Sequence, residues 1–94
     1  MFKVLYHPQV KKDLKKIDPS IREIIKKEHI PAILSNPKVG EELKGDLQGT
    51  ISYHFKESKQ HFRIAYVIDE EANIIYIQII AKRGDFYTLL KKRI

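Results

Sequence analysis

The sequence predicts a small α+β domain in which a helical hairpin packs on one face of a mainly antiparallel sheet, in the order β-α-α-β-β-β-α. Three observations carry that prediction. Apolar residues recur at helical spacing up to residue 35, then alternate with polar ones from residue 51. Pro and Gly punctuate the chain between the two regimes. The 94 residues, 43% apolar, fit a single domain over 1–94 and are too hydrophobic for a disordered chain of net charge +6.

Phe2-Lys3-Val4-Leu5-Tyr6 reads as a short strand stopped by His7-Pro8. Val10, Leu14 and Ile17 follow at i, i+4 and i+7, with Lys11, Lys12, Lys15 and Lys16 elsewhere around the wheel, so residues 8–17 form an amphipathic helix. A second helix starts at Asp18-Pro19-Ser20, either capped by Asp18 with Pro19 at its first position or through a Ser20/Glu23 capping box. Ile21, Ile24, Ile25, Ile33 and Leu34 carry its apolar face, and Pro31 should kink or end it near Ile30. Ser35-Asn36-Pro37 closes the hairpin.

Residues 36–50 read as a loop, with Gly40, Gly45 and Gly49 as punctuation and Leu43 and Leu47 pinning it to the core. Ile51, Tyr53 and Phe55 then alternate with Ser52, His54 and Lys56. Beyond a turn at 57–60, Phe62, Ile64, Tyr66 and Ile68 alternate with His61, Arg63, Ala65 and Val67. After a second turn at 69–73, Ile74 to Ala81 is almost continuously apolar, as a strand covered on both faces should be. The three strands make an antiparallel meander. Lys82-Arg83-Gly84-Asp85 breaks it, and Phe86 to Ile94 closes the chain as a short basic helix. The hairpin must bury its apolar stripes on one sheet face, leaving the other face partly open to a ligand.

Composition removes several kinds of chemistry. Without cysteine there is no disulfide scaffold, thiol nucleophile, iron–sulfur site or thiolate zinc site. No apolar run approaches the roughly 20 residues that span a bilayer, and the first residues hold too short an apolar stretch for a signal peptide. A cytoplasmic protein without membrane association is expected. Lys and Arg number 18 against 12 Asp and Glu, with the excess at the two ends: residues 1–17 hold five Lys and one Asp, and residues 82–94 five Lys or Arg and one Asp. An acidic or polyanionic partner accounts for that distribution, and so does a lysine-rich solvated surface.

Two constellations could carry chemistry. If the apolar residues of the first meander hairpin point inward, Ser52, His54, Lys56, His61 and Arg63 share the opposite face. A His, a Lys and an Arg on an open face can hold a phosphate and move a proton near pH 7. Polar outward residues are also what any half-exposed hairpin needs for solubility. The second constellation is Lys82-Arg83-Gly84-Asp85-Phe86-Tyr87, at the end of the most apolar strand. There Arg83 can fork onto a phosphate and Tyr87 can stack on a base. Asp85 capping the last helix, with Phe86 and Tyr87 packing it down, reads equally well. His7 and His29 lack spaced acidic or His partners, so no metal site is expected.

The chain resembles the RelE/ParE superfamily, the toxin half of bacterial and archaeal type II toxin–antitoxin pairs. The resemblance spans nearly the whole chain. It rests on Val4-Leu5-Tyr6-His7-Pro8, Val10-Lys11-Lys12-Asp13-Leu14-Lys15-Lys16, Leu43-Lys44-Gly45, Phe62-Arg63-Ile64-Ala65-Tyr66 and Lys82-Arg83-Gly84-Asp85-Phe86-Tyr87. It implies an endoribonuclease, without metal or cofactor, that enters the ribosomal A site and cuts mRNA by attack of a 2′-hydroxyl on the adjacent phosphate. It also implies a cognate acidic antitoxin as partner. By the same resemblance Arg63 and Arg83 bracket the phosphate and Tyr87 stacks on a base. The family often has two Lys on the strand that here carries Ser52 and His54, so either His54 has taken the base role, with His61 and Lys56 as other candidates, or cleavage is weakened. Lys11, Lys12, Lys15, Lys16, Lys56, His61 and Lys82 are expected to contact mRNA or ribosomal RNA. A gyrase-inhibiting toxin of the ParE branch, or a non-catalytic RNA- or protein-binding module, would use the same fold.

Overall fold

The sheet is five-stranded, in the order β1-β5-β4-β3-β2. A computed structural model describes residues 2–93. The strands are β1 (Lys3–Tyr6), β2 (Glu41–Glu42), β3 (Ile51–Glu57), β4 (Gln60–Asp69) and β5 (Ile74–Lys82). β1 runs parallel to β5, and the other pairs are antiparallel. The helices are α1 (Val10–Lys15), a rod made of α2 (Pro19–Ile24), a π turn (Ile25–His29) and α3 (Ile30–Ser35), and α4 (Phe86–Arg93).

α1 and the rod cover one sheet face as expected. Val10, Ile17, Ile21, Ile25, Ile30 and Ile33 join Phe55, Phe62, Ile64, Tyr66, Ile75, Ile77 and Ile80 in one buried cluster. On the other face α4 lays Phe86 and Leu90 on Ala65, Ile79 and Ala81, with Leu47 and Leu43 closing the margin. Both leucines therefore pin the loop to the second cluster. That loop carries β2, which the sequence does not announce because a two-residue strand shows no period.

Pro31 does not end the helix. Its ring removes an N–H and crowds the carbonyl four residues back, and the chain responds by widening. Ile30 N–H bonds Ile25 C=O, five residues back. The buried positions therefore step from Ile21 to Ile25 to Ile30 to Ile33. The five-residue step adds one residue to the turn and keeps Ile30 and Ile33 on the core. A second irregularity explains the unbroken apolar run of β5. Ala65 pairs with Ile79 but Tyr66 pairs with Ile77, so Gln78 is the extra residue of a bulge. The bulge inverts the face pattern: Ile75 and Ile77 join the first cluster, Ile79 and Ala81 the second.

Candidate functional site

The alternation of β3 and β4 assembles the site. Ser52 lies opposite Ala65, His54 opposite Arg63 and Lys56 opposite His61. The turn that fixes this register has only two residues, Ser58 and Lys59, both at positive φ (51° and 66°). Such a turn matches the twist of the strands, and no residue of freedom remains for a slip. Polar residues 52, 54, 56, 61 and 63 therefore stand together on the face away from the helical hairpin.

α4 covers part of that face and stops short of the β3 margin. A groove of about 480 Å³ remains, lined by Val39, Gly40, Glu41, Ser52, Tyr53, His54 and Arg63. Gly40 is required there, because a Cβ on it would sit 2.6 Å from Ile51 Cγ2 and 2.8 Å from the Ser52 carbonyl oxygen. That close approach is more than loop punctuation: it seats β2 against β3.

Arg63 lies at the floor. Its Nη1 donates to the Oγ of buried Ser52 at 3.2 Å. Its guanidinium carbon is 5.8 Å from the ring centroids of both Phe86 and Tyr87. These neighbours hold the cation without neutralising it. Arg63 Nε is buried and has no hydrogen-bond partner among the described residues. A buried donor left open costs free energy unless something occupies it.

His54 and His61 stand beside it. His54 Nε2 and His61 Nδ1 are 3.0 Å apart, and the rings are stacked with centroids 5.1 Å apart. A hydrogen bond between two imidazole nitrogens needs one donor and one acceptor. The bond breaks if both rings are cationic, so the pair holds it with at most one positive charge. Desolvation, then the positive charges of Arg63, His61 and Arg83, lower the His54 pKa from 6.5. Exposed Arg83 is tied in through its backbone, with its N–H donating to the His61 carbonyl at 3.0 Å. Tyr87 is exposed at the rim, and Lys56 is exposed opposite His61.

Thus His54 and Arg63 line the groove, His61 and Lys56 continue the same sheet face beside His54, Tyr87 stands against Arg63, and Arg83 joins through its backbone bond to His61. Lys82 does not join them. It pairs with Phe62, which places it on the hairpin face. Nor do Lys11, Lys12, Lys15 and Lys16, which are on or beside α1 over that same opposite face. Two groove residues have no signature in the sequence: Ser52 as the partner of Arg63, and Glu41, brought in by β2 opposite Ser52. No group of three or more potential metal ligands occurs among the described residues.

The architecture is shared with small bacterial toxins. A RelBE toxin–antitoxin complex from Mycobacterium tuberculosis contains a chain with TM-score 0.77 and 25% identity, covering 87% of this chain and 98% of that one. An arginine-to-alanine double mutant of Escherichia coli toxin RelE in the free state gives TM-score 0.75 at 20% identity, covering 99% and 97%. The intact E. coli RelBE complex gives 0.70 at 16% identity, covering 87% and 96%. No curated protein sequence matches the chain. The family model for the ParE-like toxin of type II bacterial toxin–antitoxin systems matches residues 4–91, and the chain belongs to that family, within the RelE/ParE superfamily.

Proposed function

We propose that this toxin is a metal-independent endoribonuclease that cuts mRNA in the ribosomal A site. The observation that carries the reading is the hydrogen-bonded His54–His61 pair beside the Arg63 guanidinium. When His54 Nε2–H donates to His61 Nδ1, the Nδ1 lone pair of His54 is free. His54 then takes the proton of the 2′-hydroxyl as its oxygen attacks the adjacent phosphorus. The O2′–P bond forms, the P–O5′ bond breaks, and the leaving 5′-oxygen takes a proton from water. The products are a 2′,3′-cyclic phosphate and a 5′-hydroxyl. Arg63 and Arg83 face the charge that develops on the phosphoryl oxygens. Tyr87 stacks on a base and fixes the strand.

A RelB-type antitoxin is the expected partner, since RelE-like toxins of this fold are found in RelBE complexes. It would be acidic and would cover Arg63 or Arg83, and its association should weaken steeply with salt because the chain carries +6. The deciding assay is single-turnover cleavage of mRNA on programmed ribosomes, run beside DNA supercoiling by gyrase. Cleavage with cyclic-phosphate ends supports the nuclease. Gyrase inhibition with no cleavage on or off the ribosome overturns it in favour of a ParE-like activity. RNA binding with neither effect leaves a non-catalytic module.

A further inference from the structure

α4 brings Tyr87 over Arg63, but the firmest polar contact of α4 is at its other end. Arg93 Nη1 and Nη2 donate to Asp13 Oδ2 and Oδ1 at 2.5 and 2.6 Å. The side chains are 12% and 5% exposed. The pair also serves the sheet. Asp13 Oδ2 accepts Ile80 N–H at 3.2 Å, and Arg93 Nη1 donates to the Gln78 carbonyl at 3.1 Å. β1 pairs with β5 only as far as Tyr6 opposite Ile77. Beyond that point, at the bulge, the outer edge of β5 has lost its neighbour, and the ion pair takes the missing strand's place. Asp13 comes from α1 on the hairpin face, whereas α4 lies on the other face. The pair therefore reaches round the sheet edge and ties the two layers together.

We propose that Asp13 and Arg93 are positioning residues that clamp α4 and so set Tyr87 against Arg63. α4 has only eight residues, too few to stay helical without tertiary support. Its fully buried anchors are Phe86 and Leu90. Leu89, partly buried, packs beside Leu90, so the apolar contacts form one narrow stripe about which a short helix can rock, and a forked ion pair at the last turn removes that freedom. Tyr87, on the first turn, then holds its place at the groove. The activity part of this inference rests on the nuclease reading; the docking of α4 does not.

The experiment uses the full chain and the double variant Asp13→Asn/Arg93→Met, which breaks the fork without leaving a buried charge alone. The amide oxygen introduced by Asp13→Asn still accepts from Ile80 N–H. Amide hydrogen exchange should rise at least tenfold across residues 86–93, while β4 and β5 keep their protection. Cleavage at saturating ribosome should fall about tenfold to 10²-fold, the scale of a displaced positioning group. Adding Tyr87→Ala to the double variant should cost far less than Tyr87→Ala costs alone, because both changes remove one interaction. Unchanged α4 exchange overturns the clamp, and fully additive losses overturn its positioning role. If the double variant does not fold, Arg93→Lys keeps the charge, loses the fork and is judged the same way. A wild type that cuts nothing refutes the nuclease reading, and the clamp then stands or falls on α4 exchange.

Discussion

His54 meets the first requirement of a base at pH 7, because its lowered pKa leaves the ring neutral there. Protonation should silence it, so cleavage should rise with pH through a value below 6.5 and level off above it. His54→Gln keeps polarity but cannot titrate, and should lose about 10²–10⁴ in rate together with the acid limb of the profile. A wild-type rate in that variant would transfer the role to His61 or Lys56. Arg63→Ala should cost about 10²–10³, the effect of losing one donor to the developing charge, with circular dichroism unchanged. Ser52→Ala tests the hydrogen bond that orients Arg63: it should lower the single-turnover rate less than Arg63→Ala does, and leave ribosome affinity unchanged. The shared face of residues 52, 54, 56, 61 and 63 could be read from the sequence, since alternation and a short turn leave one register. The Ser52 hydrogen bond could not, because a hydroxyl facing a guanidinium leaves no spacing pattern. Asp13 was hidden for a related reason. It sits among four lysines and looks like part of a solvated face, yet it is 6% exposed because its partner lies 80 residues away.

At the scale of elements, regular periods were legible and their interruptions were not. The π turn and the Gln78 bulge each insert one residue into a repeat: Pro31 marked the place of the first but not its form, which keeps Ile30 and Ile33 on the core, and nothing marked the second, which turns Ile79 toward α4. The short strand β2 had no period to show. The turn between β3 and β4 makes a direct test of register and strain. Ser58 and Lys59 both hold the left-handed conformation that Asn and Gly adopt more easily. Ser58→Asn/Lys59→Gly should therefore stabilise the domain by about 1 kcal/mol, read as a higher urea midpoint at unchanged slope. Cleavage should stay at the wild-type rate, since the pairing of His54 with Arg63 is preserved. Gly40→Ala should do the reverse. Its Cβ would strike Ile51 and the Ser52 backbone, costing about 1–3 kcal/mol and loosening the groove wall beside Arg63.

Across the whole molecule the positive charge divides between two surfaces. One is the sheet face around Arg63 and its groove, with Arg83 beside His61. The other is the α1 ridge of Lys11, Lys12, Lys15 and Lys16, on the opposite side of the sheet. A ridge of flexible cations suits phosphates, and would grip ribosomal RNA while the groove meets the message. The two surfaces should then fail independently. Lys12→Gln/Lys15→Gln should weaken ribosome association and reduce the slope of log affinity against log salt by roughly 0.7 to 0.9 for each phosphate no longer neutralised. The cleavage rate of message already bound should not change. Arg63→Ala should show the converse: cleavage lost, and the salt slope lowered by no more than a single phosphate accounts for. Titration of ribosome binding at several salt concentrations, with single-turnover cleavage on the same samples, separates the two. An unchanged slope in the lysine variant would identify the ridge as ordinary solvated surface. A lost cleavage rate at full occupancy would mean that α1 also shapes the groove, and the route for that coupling is the Asp13–Arg93 pair, since Asp13 lies between Lys12 and Lys15 on α1.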